Sequence, residues 1–231
     1  GSVLFSASGF LFAVPDIYLA VGDLTGVPNL ATLLVYASIT SCTLTLSVWT
    51  SYMIRPIEAT TDIAVDDQVR DRTSRRTLIA AVPVLVSLIV LFVLAPVDDV
   101  AHPLDFDATY AEEPLVVAFL AVYLTTYVTG LWRIVGLGIR YLRVVTGYRW
   151  FRASLFLIAV GALTGSMYAF GKAVSIVGTW FGHPFRELNV DIAPAIASLG
   201  ATAMATLMFI EASDNVESPR RDEPWEEWLI D

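Results

Sequence analysis

Cysteine occurs once in this chain, at Cys42, lysine once, at Lys172, and histidine twice. A single thiol excludes an internal disulfide framework and zinc ligation by a cysteine cluster. Catalytic signatures are missing as well. The sequence has no HExxH, no GxSxG and no phosphate-binding glycine loop. Charge is scarce, at 16% of residues against 56% hydrophobic. That balance lies far from the soluble average and points to a membrane protein. No basic patch suggests nucleic acid, and the formal charge of −9 comes from acids spread through loops and tail.

What the chain does have is long apolar runs. A helical crossing takes about 20 mostly apolar residues. Six stretches meet that length: roughly 3–22, 29–54, 77–96, 114–134, 153–181 and 191–211. The expected fold is therefore all-α, a polytopic transmembrane bundle over 1–211 followed by an acidic tail, 212–231. The arginines set its orientation. Arg55, Arg70, Arg72, Arg75 and Arg76 follow the second stretch, Arg133, Arg140, Arg143, Arg149 and Arg152 the fourth, and Arg220 and Arg221 the sixth. The opposite loops hold Arg186 alone. The positive-inside rule then puts the arginine-rich segments, the N-terminus and the tail in the cytoplasm. The 55–76 segment mixes Arg with Asp and Glu and reads as a solvated linker, helical or not, rather than a docking site. PWEEWLID (224–231) spaces Trp225, Trp228 and Leu229 as in a short amphipathic helix.

Lys172 is the exception to this order, because it sits inside a span. Helical spacing puts it on one face with Gly161, Gly165, Tyr168, Ser175 and Thr179, opposite Phe170, Val174 and Val177. It is thus expected to point into the bundle. Similar faces carry Tyr36, Thr40, Thr43 and Ser47 in the second span, and Tyr123, Tyr127 and Gly130 in the fourth. The sixth has Asp191, Ala195, Ser198, Thr202 and Thr206. Small residues and hydroxyls of this kind also serve ordinary helix packing. An intramembrane charge is costlier and needs a partner, water or a function. Depth counting selects Asp16, whose level differs from that of Lys172 by about 3 Å at 1.5 Å per residue. Asp191 stands about 12 Å nearer the outer mouth by the same count. Pro15 precedes Asp16 and should kink or restart the first span. Lys172, Asp16, Tyr168, Ser175, Tyr123, Tyr127 and Asp191 are therefore the candidates for a ligand or ion pathway.

The outer loop AHPLDFDATYAEE carries His102, Asp105, Asp107, Glu112 and Glu113. Its spacing is not that of a calcium loop, and it reads as a solvated acidic cap. No metal or cofactor site is expected. A Lys172 dyad with Ser175 or Ser198 can be drawn, since a buried lysine can act as a base.

DIYLAVGDLTGVPNLATLLVY (16–36), LDFDATYAEEP (104–114) and the run 131–174 resemble a family of actinobacterial polytopic membrane proteins that carry a transporter label. The resemblance implies a seven-helix core followed by a soluble C-terminal domain. Against that pattern the first helix is missing and the chain stops at Asp231, so it reads as a segment of something longer. The function expected is small-molecule transport through a polar seam. The alternatives are a sensor that passes an outside signal to a C-terminal domain, and a membrane anchor or scaffold. The expected partners are the bilayer, an unidentified small molecule and further copies of the chain.

Overall fold

The computed structural model describes residues 2–53, 63–97, 100–103, 105–144, 149–183 and 185, with isolated positions at 192, 195 and 198. Those residues form helices and no strand. Lipid offers no partner for backbone N–H and C=O groups, so an apolar run must satisfy them within its own helix. The helices are α1 (Ser2–Phe12), α2 (Pro15–Thr25), α3 (Leu30–Met53), α4 (Ile63–Leu94), α5 (Phe106–Thr109), α6 (Pro114–Val144) and α7 (Arg149–Trp180). Four of them are long and apolar enough to cross a membrane, or five spans if α1 and α2 count together. The chain is a helical membrane protein. Apart from positions 192, 195 and 198, the expected span 191–211, with Asp191, Thr202 and Thr206, and the tail 212–231 lie outside the described residues.

The first expected span is not a straight rod. α1 and α2 meet at 84°. The cause is local. Val14 is extended, at φ −68° and ψ 125°, as a residue before proline prefers, and Pro15 opens α2. Each limb has 11 residues, about 16 Å of helix against a hydrocarbon core of about 30 Å. α1 packs along α3. Gly9 makes this close, since a Cβ there would come within 3.3 Å of Ile39. α2 rests on the turn into α3, where a Cβ at Gly22 would sit 3.1 Å from the Pro28 backbone.

α3, α4 and α6 pack on one another, and α7 leans on α6. Their shared core holds Tyr36, Leu88, Phe92, Phe119, Leu120 and Tyr123. Gly130 lets α3 and α6 approach, because a Cβ there would overlap the Thr43 methyl. Val82, Val93 and Phe170 point outward and are exposed, as suits a face toward lipid. α4 starts well before its apolar part, Ser74–Leu94. The Arg/Asp segment is thus helical from Ile63. Near the arginine-rich end, Arg133 donates to Thr77 Oγ1 at 3.2 Å and ties α6 to α4.

The opposite, acidic end is tied by polar contacts. The Tyr18 hydroxyl donates to Asn29 Oδ1 at 2.9 Å and lies 2.6 Å from Thr32 Oγ1. Asn29 Nδ2 donates to the Val100 carbonyl at 2.9 Å, and Asn29 Oδ1 accepts from the His102 N–H at 3.0 Å. Trp180 Nε1 donates to the Ala111 carbonyl at 2.9 Å. These bonds bind the α2–α3 turn, the 100–113 loop and the end of α7 together.

Candidate functional site

Lys172 does point inward. It is 8% exposed, while Phe170 and Val177 on the other side of α7 are open. Its partner is not Asp16. The ammonium group is ion-paired with Asp107 Oδ2 and donates to the Tyr36 hydroxyl at 2.8 Å. The Tyr36 hydroxyl donates in turn to Asp107 Oδ2 at 2.5 Å. Nζ also stands 5.3 Å from the Tyr36 ring centre and 5.4 Å from that of Tyr168, within range of a cation–π attraction. The depth argument for Asp16 assumed a straight first span. The break before Pro15 turns α2 aside, and Asp16 is exposed on it.

Asp107 reaches the bundle because the acidic loop folds back into it. Phe106, Asp107, Tyr110 and Ala111 are all buried. They fall at i, i+1, i+4 and i+5, which puts them on one side of the short helix α5 and the turn that follows it. Burial of Phe106 and Tyr110 draws Asp107 in with them. The loop is therefore not a solvated cap, at least at this residue. Asp107 Oδ1 is buried with no hydrogen-bond partner. Taking two charges out of water costs free energy that their attraction only partly returns, and removing either partner strands the other.

Toward the arginine-rich end from this cluster lies a cavity of about 410 Å³. α3 and α7 each lean on α6, and the cavity fills the space between α1 and α3 on one side and α6 and α7 on the other. Its lining includes Ile39, Cys42, Leu46, Leu131, Ile134 and Ile158, together with Tyr123, Tyr127 and Tyr168. Among the described residues no acidic or basic side chain lines it. Tyr123 and Tyr127 are near parallel, with centres 5.7 Å apart, and Tyr168 stands edge-on to Tyr127 at 6.2 Å. Tyr127 packs hard against α7 where that helix is bare, since a Cβ at Gly165 would be 2.7 Å from its hydroxyl. The Tyr123 hydroxyl is buried near that of Tyr168 but makes no hydrogen bond of proper geometry.

The candidates thus divide. Tyr123, Tyr127 and Tyr168 come together at the cavity, and Lys172 lies next to them in the charged cluster. Ser175 is elsewhere, donating to the Phe185 carbonyl at 3.1 Å. Asp16 lines nothing in the cavity, and Asp191 is outside the described residues. Ser198 lines the cavity but donates to the Ala195 carbonyl at 2.9 Å, so neither serine is Lys172's hydrogen-bond partner. Tyr36 and Asp107 were missed as members of the cluster. The Phe106–Asp107–Tyr110–Ala111 spacing was the signal for the second. His102 lies 3.2 Å from Asp105, and His183 is 3.0 Å from the Phe181 carbonyl. Among the described residues no three His, Cys, Asp or Glu side chains converge as a metal site. No family model, curated protein or solved structure matches this chain.

Proposed function

We propose that this protein is a carrier that moves a small molecule across the membrane through the tyrosine-lined cavity. The carrying observation is the cavity itself: about 410 Å³ between α1, α3, α6 and α7, with Ser198 also on its wall, in the volume range of small-ligand sites. Its α3 residues, Val35 to Leu46, lie about 7–24 Å along the helix from Leu30, which is mid-depth, where carriers place their sites. The Lys172–Asp107–Tyr36 cluster lies beyond the cavity's Tyr123 and Tyr168, toward the acidic end. The arginine asymmetry supports an arrangement in which that end faces outward and the arginine-rich end faces the cytoplasm. The resemblance carried by 16–36, 104–114 and 131–174 points to transport as well.

Cys42 lines the cavity and is the chain's single thiol. It therefore tests alternating access without any substitution. A membrane-impermeant thiol reagent is applied to right-side-out and to inside-out vesicles, and modification of Cys42 is read by mass spectrometry. A carrier gives modification from both sides. Modification from one side only, or from neither, contradicts the proposal. One-sided access with ligand protection would instead indicate a sensor.

A further inference from the structure

At the arginine-rich end the charges do not balance. Arg72, Arg75 and Arg76 on α4 and Arg133 and Arg140 on α6 are exposed. Among the described residues none of them is in an ion pair. The sequence gives the reason. α3, α6 and α7 contain no aspartate or glutamate, and α4 has none after Asp71. Arg133 is the sharpest case. Its apolar span runs Pro114–Arg140, so it lies about 10 Å inside the end of that span at 1.5 Å per residue. A charged side chain at such a depth needs an anion, water or a polar contact. The guanidinium is tied to α4 instead of trailing free, because Nη1 donates to Thr77 Oγ1 at 3.2 Å. Thr77 is buried, one turn inside the apolar part of α4, Ser74–Leu94. A guanidinium carries five N–H donors, and this bond leaves others for an acceptor from outside the protein.

There is room for one. Arg133, Gly136 and Arg140 share a stripe of α6 by helical spacing. Gly136 is exposed, and a Cβ there would meet nothing within 4 Å. The stripe is an open notch with an arginine on either side of it. Trp132, beside Arg133, is also exposed, as suits a ring at the headgroup level.

We infer that this notch binds the phosphodiester headgroup of an anionic membrane lipid, held by Arg133 and Arg140. A guanidinium fork matches phosphate oxygens in pairs, and basic clusters at the ends of membrane helices attract acidic headgroups. A free phosphate shares that chemistry. The lipid is favoured because α4, further into its span, exposes Leu78, Ile79 and Val82, an apolar surface that acyl chains can cover and a free phosphate cannot. This role is independent of the cavity and of the carrier reading.

Native mass spectrometry of the detergent-solubilised protein counts bound lipids directly. The probes are dioleoylphosphatidylglycerol, which is anionic, and dioleoylphosphatidylcholine, which has the same chains and phosphodiester but no net charge. The expected result is phosphatidylglycerol bound about tenfold more tightly, the contribution of one or two arginines against an acidic headgroup. Arg133→Gln should bring the two lipids to the same affinity. Arg72→Gln, an equal loss of charge elsewhere on α4, should keep the preference. Thr77→Val keeps the charge but unties Arg133, and should lower the preference in part. Unchanged phosphatidylcholine binding would report that each variant is folded. Equal wild-type affinity for the two lipids overturns the proposal. A preference that survives Arg133→Gln, or that Arg72→Gln abolishes as fully, overturns the notch in favour of a diffuse field. Loss of bound phosphatidylglycerol on washing with inorganic phosphate overturns the lipid in favour of a free anion.

Discussion

The acidic end and the middle of the bundle are built in opposite ways. At the acidic end Tyr18, Asn29, Tyr36, Asp107, Lys172 and Trp180 join turn, loop and helices through polar contacts. A few residues deeper, α1 and α3 part from α6 and α7 around a cavity of about 410 Å³ with an unpartnered Tyr123 hydroxyl. Within one membrane protein, polar contacts between elements gather where loops must be held and thin out where space is kept.

Breaking the locked end should have the largest effect. Lys172→Met leaves Asp107 buried and unpaired, at a cost of about 3–5 kcal/mol. Lys172→Met with Asp107→Leu removes both charges and should return most of that stability. Unfolding in mixed micelles, followed by circular dichroism, measures both. A double variant as unstable as the single one would remove the pair's structural role.

Asn29→Ala should come next. It takes away the acceptor of the Tyr18 hydroxyl and of the His102 N–H, and the donor to Val100. The expected loss is up to about 3 kcal/mol. Hydrogen exchange should then quicken at His102 and along α2 while α6 keeps its protection. Uniform quickening would mean that the acidic end is not a separate lock.

How far these features can be read without coordinates depends on the kind of signal. The apolar runs had to be helices, and the helical period of α7 turned Lys172 inward. The proline rule located the break between α1 and α2. Depth counting failed for Asp16 because it treats every span as straight, and no rule of spacing provides the 84° between the limbs. Asp107 was misjudged because loop acids are usually solvated. Only the flanking Phe106 and Tyr110 mark this one as buried. The cavity was legible only in part: Tyr123, Tyr127 and Tyr168 of the expected polar seam line it, but its volume and the wall given by α1 were not foreseen. It arises from which helices lean on which, and that depends on contacts far apart in the chain.

Two smaller effects sharpen the contrast from the middle of the bundle. Gly130→Ala places a methyl against Thr43 and should cost about 1–2 kcal/mol by forcing α3 from α6. No loss on unfolding would mean that the helices do not meet there. Tyr123→Phe should do the reverse and gain about 1 kcal/mol in the absence of ligand, because it removes a buried hydroxyl that makes no bond. A loss of that size would reveal a partner for Tyr123 inside the protein and close the comparison from the other side.

The comparison depends most on Lys172 being held by Asp107. With one lysine in the chain, selective 15N-lysine labelling yields one Nζ resonance. Solid-state NMR of the protein in lipid, with 13C-aspartate added, reports its protonation state and its dipolar coupling to a carboxylate carbon. The account predicts an ammonium signal coupled to one aspartate carboxylate, lost in Asp107→Asn and retained in Asp16→Asn. A neutral amine signal, no coupling, or a coupling lost in Asp16→Asn instead would contradict it.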